Sequence, residues 1–167
     1  PAWPARTTWT NSREAGRRLR IGYLSPDFRT HPVSMFFEPV LAQHDRDALE
    51  VVCYSTTSAP DALTERLQAR AELWRDCSGW SNLKIADLIE SDAVDILVDL
   101  AGHTAQNRAG VMRAKPSPVQ ALYIGYPGTT GLPEVDWIIA DARLCPPGSE
   151  GFYSENIARV EGSFWCY

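Results

Sequence analysis

The chain has 167 residues, 44% of them hydrophobic, and its 16 lysines and arginines against 21 acids give a formal charge of −5. That length suits one domain, burying about 70% of its unfolded surface. The scattered basic residues form no nucleic-acid footprint, and the longest apolar runs, around Ile96–Val98, fall far short of the ~20 residues of a membrane helix, so DNA, RNA and membrane are excluded as expected partners.

Residues 1–17, rich in Pro, Thr, Arg and Trp without a period, read as a linker from an upstream region, and the folded body is expected over 18–167. No apolar stretch follows Arg6 as it would in a secretory leader, which makes a cytoplasmic location the default. The run from Leu19 to Leu24 reads as a buried strand. After a polar loop, Met35, Phe36, Phe37, Val40 and Leu41 recur at helical spacing, with Pro39 expected to bend or shorten that helix. A second strand is predicted from Leu49 to Tyr54, followed by a helix whose buried stripe is Leu63, Leu67, Ala71 and Trp74.

Ser81 is placed to cap a third helix with Ile85, Leu88 and Ile89 facing inward, and a strand follows from Val94 to Leu100. A short helix around Asn107–Ala114 precedes strands at Val119–Ile124, Val135–Ala140 and Ile157–Val160. Alternation of this kind predicts an α/β fold: a Rossmann-like, mostly parallel sheet flanked by helices. Cys53, Cys77, Cys145 and Cys166 are far apart with no C-x-x-C, so reduced thiols are expected and neither a zinc knuckle nor a redox dithiol. The closing run Phe164-Trp-Cys-Tyr167 would be costly to leave bare.

Loops at the carboxyl ends of parallel strands are where open α/β sheets hold ligands. Two such loops stand out, Asp27–Pro32 after the first strand and Gly125–Gly131 after Ile124, and they are expected to wall one cleft. His31 carries the one side chain that exchanges protons near neutrality, Pro32 holds its backbone extended, and Asp27 can orient the ring or accept a proton. In the Gly125–Gly131 turn, backbone amides and the hydroxyls of Thr129 and Thr130 can meet a polar ligand, although the turn is neither a Walker loop nor G-x-G-x-x-G. A second Asp-x-x-x-His, Asp99 to His103, also follows a strand. Two acids and two imidazoles on neighbouring loops leave a metal-dependent hydrolase open, and a noncatalytic binding or scaffold module is also open.

Arg20–Phe28 with His31-Pro32, Asp95–Thr104, Lys115–Gln120 and Ile124–Gly131 stand in this order. Together they resemble the amino-terminal lobe of the catalytic region in the O-linked N-acetylglucosamine transferase (SPINDLY-like) family. The resemblance implies a two-lobed GT-B glycosyltransferase that moves a sugar, N-acetylglucosamine from UDP-GlcNAc or fucose in one branch, onto Ser or Thr of proteins by inversion and without a metal. No cofactor is implied, because the nucleotide-sugar is a substrate. The implied partners are a protein acceptor, the nucleotide-sugar and the carboxyl-terminal lobe of the same enzyme, with tetratricopeptide repeats upstream.

By the same resemblance, His31 lies beside the sugar and the reacting hydroxyl, and Asp27 is its base or orienting group. Ile124, Gly125 and Pro127 form the turn that touches the donor sugar, and His103 stands near the diphosphate where some relatives carry Tyr. Val33 replaces the Thr that some members have after His-Pro. The uridine pocket and the catalytic lysine belong to the second lobe, so the present chain alone is expected to be inactive.

Overall fold

The computed structural model describes residues 4–166; Pro1, Ala2 and Trp3 of the expected linker, and the closing Tyr167, lie outside the described residues. Seven strands are present: β1 (Leu19–Ser25), β2 (Leu49–Ser55), β3 (Leu73–Asp76), β4 (Ile96–Asp99), β5 (Val119–Leu122), β6 (Trp137–Ala140) and β7 (Asn156–Arg159). Four helices join them, α1 (Pro32–Ala42), α2 (Ala62–Arg70), α3 (Asn82–Ser91) and α4 (Ala109–Arg113). The sheet runs in the order β3-β2-β1-β4-β5-β6-β7, and every pairing is parallel.

Helices cover both faces, which is why the central strands are continuous apolar runs and not alternating ones. On one face Tyr23, Val51, Cys53 and Val98 meet Phe37 and Leu41 of α1 and Leu63 and Leu67 of α2. On the other, Leu24, Val52, Tyr54 and Leu97 meet Ile85 and Ile89 of α3 and Val111 and Met112 of α4. Local chemistry sets the helix starts. Asp61 accepts from the Leu63 and Thr64 amides while Thr64 returns a bond to the Asp61 amide, closing a capping box, and Ser81 caps α3 as its position in the sequence implies.

Three expectations are corrected. Trp74 does not end a helix: α2 stops at Arg70, and Leu73–Asp76 is an edge strand that places Trp74 against Phe28. The indole matched the helical period because its burial comes from across the sheet. Pro39 does not shorten α1, which continues to Ala42; Gln43 closes the end on the Pro39 and Val40 carbonyls. The folded body also begins well before Arg18. Arg6 bonds Asp87 and Glu90 of α3 and the Ala114 carbonyl, Trp9 donates to the Lys115 carbonyl, and Asn11 and Arg17 both reach Asp95.

Toward the other end of the chain, Phe164 is buried edge-on against Tyr123, while Trp165 packs on Phe36 of α1 and stays 41% exposed. Cys53, Cys77 and Cys145 are free and buried, and Cys166 is free and half-buried. No helix among the described residues is long and apolar enough to cross a membrane.

Candidate functional site

The order of strands reverses direction between β1 and β4: the chain leaves β1 toward α1 on one face and β4 toward α4 on the other. A crevice opens at such a switch point, beyond the carboxyl ends of the strands. Both Asp/His loops emerge there, since Leu24 pairs with Asp99. The turn after β5 joins them. A Cβ on Gly125 would stand 2.0 Å from the Leu100 carbonyl oxygen and 3.2 Å from Val33 Cγ2, so the turn packs directly on the loop after β4 and on the start of α1. The structure therefore brings His31 and the Gly125 turn onto one rim.

His31 is the N-cap of α1. Its Nδ1 accepts from the Val33 amide at 3.2 Å, and Pro32 takes the first helical position, where a missing N–H costs nothing. An accepting Nδ1 places the proton of the neutral ring on Nε2, and among the described residues nothing bonds Nε2. The Asp27 carboxylate, almost fully buried, lies 3.8 Å from Nδ1, too far for a hydrogen bond. The loop is held by its own polar groups. The Asp27 amide donates to Ser25 Oγ at 3.0 Å, and the Ser34 hydroxyl donates to the Asp27 carbonyl at 2.5 Å.

On the β4 side, Asp99 accepts from the amides of Ala101 at 3.0 Å and Gly102 at 2.9 Å, a local turn that aims the following residues over the crevice. Burial pushes its carboxyl up to about 6, against the pull of those two amides. His103 is exposed, donates from Nε2 to the Thr130 carbonyl at 2.8 Å, and meets the Tyr126 ring edge-on at 5.2 Å. Among the described residues no group of three His, Cys, Asp or Glu side chains converges as a metal site would.

Ile124 has φ 64°, a conformation that a β-branched residue adopts only under strain, and its side chain is buried in the core. Ile124 as a whole is only 1% exposed, whereas Pro127 is exposed. The two threonines differ from expectation. Thr129 Oγ1 donates to Glu155 Oε2 at 2.8 Å, and Thr130 gives Glu155 Oε1 both its hydroxyl and its amide, so neither hydroxyl is free for a ligand. Burial raises the Glu155 carboxyl, but the bonds from Thr130 and Thr129 outweigh it and hold the group below the ordinary glutamate value.

Glu155 thus clamps the turn, and through the Thr130 carbonyl it also fixes His103. Nothing local in the sequence marks it, because its partners lie 25 and 26 residues earlier. Asp99 did carry a local signal, an acid followed by Leu-Ala-Gly, that reads as a turn as readily as half of a ligand pair.

Comparison with known proteins agrees with this geometry. The model for glycosyl transferase family 41 matches residues 4–166. The chain is 45% identical over 169 residues to the "Probable UDP-N-acetylglucosamine--peptide N-acetylglucosaminyltransferase SPINDLY" of Solanum lycopersicum, covering 99% of this chain and 18% of that protein. It is 37% identical over 150 residues to the corresponding SEC protein of Arabidopsis thaliana, covering 89% of this chain and 15% of the relative. A solved structure of a mutant Thermobaculum terrenum O-GlcNAc transferase superposes with a TM-score of 0.91 at 40% identity, over 96% of this chain and 31% of that one. The chain thus spans about a fifth of the length of the curated relatives it matches. On sequence and on structure alike, the chain belongs to glycosyl transferase family 41.

Proposed function

We propose that this chain is the amino-terminal lobe of an inverting protein O-glycosyltransferase that moves N-acetylglucosamine from UDP-GlcNAc to Ser or Thr of an acceptor polypeptide. The observation that supports the reading is the shared rim, where Val33, two residues after the His31 cap, stands against the Gly125 turn at the switch point. The names borne by the relatives supply the donor and the peptide acceptor. A second lobe facing this rim completes the cleft and contributes the uridine pocket, and the protein works where its acceptors are, in the cytoplasm.

In the reaction the acceptor oxygen bonds to the anomeric carbon, the bond from that carbon to the diphosphate breaks, UDP leaves, and the hydroxyl proton is released. His31, with its proton on Nε2, enters the crevice as a donor that holds a substrate oxygen in line. The hydroxyl proton leaves to solvent water, and Asp27 keeps the ring oriented. The Ile124–Pro127 backbone packs against the donor sugar, and His103 stands on the diphosphate side.

Two variants of the full-length protein test this. His31→Asn keeps a capping side chain and loses Nε2, so its melting curve is expected to match wild type while transfer from UDP-GlcNAc falls about 100-fold or more. His31→Ala loses the cap as well and costs about 1 kcal/mol of stability. Full turnover in His31→Asn would remove the imidazole from the reaction.

A further inference from the structure

One edge along from His31, at the carboxyl ends of β2 and β3, lies a cavity of about 410 Å³ lined by Ser55, Thr57, Asp61, Glu65, Trp74 and Asp76 among others. Three carboxylates line it and no lysine or arginine does. The arginines of α2 and β3 are engaged elsewhere, Arg66 and Arg70 with Glu38, and Arg75 with Asp92. At its wall Ser55 is only 2% exposed, yet among the described residues nothing hydrogen-bonds its hydroxyl. That hydroxyl borders the open space of the cavity, where a ligand atom can bond it. The Trp74 indole N–H is likewise without a partner among the described residues.

The field of three carboxylates repels anions. Since no three acidic side chains, or acids with His or Cys, converge as a metal requires among the described residues, the charge suits an organic cation. A basic side chain fits on each count: its charge meets the carboxylates, its donors satisfy Ser55 Oγ, and its apolar stem lies along Trp74. The Trp74 N–H suits a carbonyl of the same polypeptide. Asp61 ties the cavity to the reactive loop by accepting from the Thr30 amide at 2.7 Å, next to His31.

From this arrangement we propose that the cavity takes a lysine or arginine of the acceptor polypeptide, flanking the modified Ser or Thr by about two to four positions. The site is an acceptor-specificity pocket and rests on the transfer reading above.

The test uses the full-length protein in two arms. In the first, a blocked Ala-Arg-Ala peptide with no hydroxyl residue is titrated and followed by NMR. Saturable binding at Ser55 and Trp74 is expected, weakened about fivefold or more by Glu65→Lys and less by Glu65→Gln. In the second, kcat/KM is measured for acceptor peptides carrying Arg, Ala or Glu at each flanking position. Arg is expected to exceed Ala about fivefold at one position, and Glu65→Lys to invert the order so that Glu is preferred. Equal kcat/KM for the three peptides, or an Arg preference that survives Glu65→Lys, overturns the pocket even though sugar is transferred. Saturable peptide binding without transfer to any peptide instead overturns the transfer reading and leaves the pocket standing.

Discussion

Gly125→Ala is the sharpest structural perturbation available at the rim. The new methyl would sit 2.0 Å from the Leu100 carbonyl oxygen, whereas such contacts are essentially never found below 3.0 Å, so backbone must move by at least 1.0 Å. Both partners are main chain held by the sheet and by Val33, and no side chain can swing away. Overpacking of a rigid site costs about 3 kcal/mol at the upper end of its usual range, or about 6–12 °C in melting temperature for a domain of this size. Gly131→Ala is the internal control. Its φ is +65° but nothing stands within 4 Å, so only the left-handed backbone is penalised, by about 1 kcal/mol. Thermal melts of the chain measure both, and transfer by the full-length protein reports whether the displaced turn still meets substrate, with a loss of about 100-fold expected. If Gly125→Ala melts no lower than Gly131→Ala, the close approach of the turn to β4 is not what the geometry states.

Asp99 and Glu155 carry opposite expectations. With its carboxyl raised from 3.8 to about 6, Asp99 holds its proton more tightly folded than unfolded, so its contribution to stability is complete below about pH 4 and declines by about 3 kcal/mol as pH rises to about 6. Asp99→Asn keeps an acceptor for the turn amides and loses that slope, so the variant gains on wild type between pH 4 and pH 6 in denaturant titrations; a constant difference across that range contradicts the buried carboxyl. For Glu155→Ala, the Thr130 amide and hydroxyl lose their acceptor and stability falls by about 1–3 kcal/mol. The freed turn also raises the KM for UDP-GlcNAc in the full-length protein, and the His103 ring signals shift by NMR because the Thr130 carbonyl is no longer fixed; Glu155→Gln restores most of both.

The central strands were legible in the sequence because they are buried on both faces: Ile21–Ser25 and Val51–Ser55 had to be apolar runs, and the parallel order followed from their alternation with helices. β3 was not legible, since a four-residue half-buried edge strand leaves no run of its own and Trp74 happened to fall in step with Leu63 and Leu67. The approach of the Gly125 turn to Val33 at the start of α1 follows from strand ends that place both. Glu155 and Ser55 were invisible for the opposite reason. One acts on residues 25 and 26 positions earlier and the other matters through a bond it lacks, and neither leaves a local pattern.

The docked segment before β1 changes how this lobe can be dissected. Asp95 at the foot of β4 takes its charge compensation from Arg17 and one amide from Asn11, while the Arg6 guanidinium stitches α3 to the end of α4 on the underside opposite the crevice. Cutting at Arg18, where regular structure begins, would strand a mostly buried carboxylate and unfasten two helices together. The stretch from Arg6 to Arg17 thus acts as a girdle on the floor of the sheet, away from the carboxyl ends of the strands.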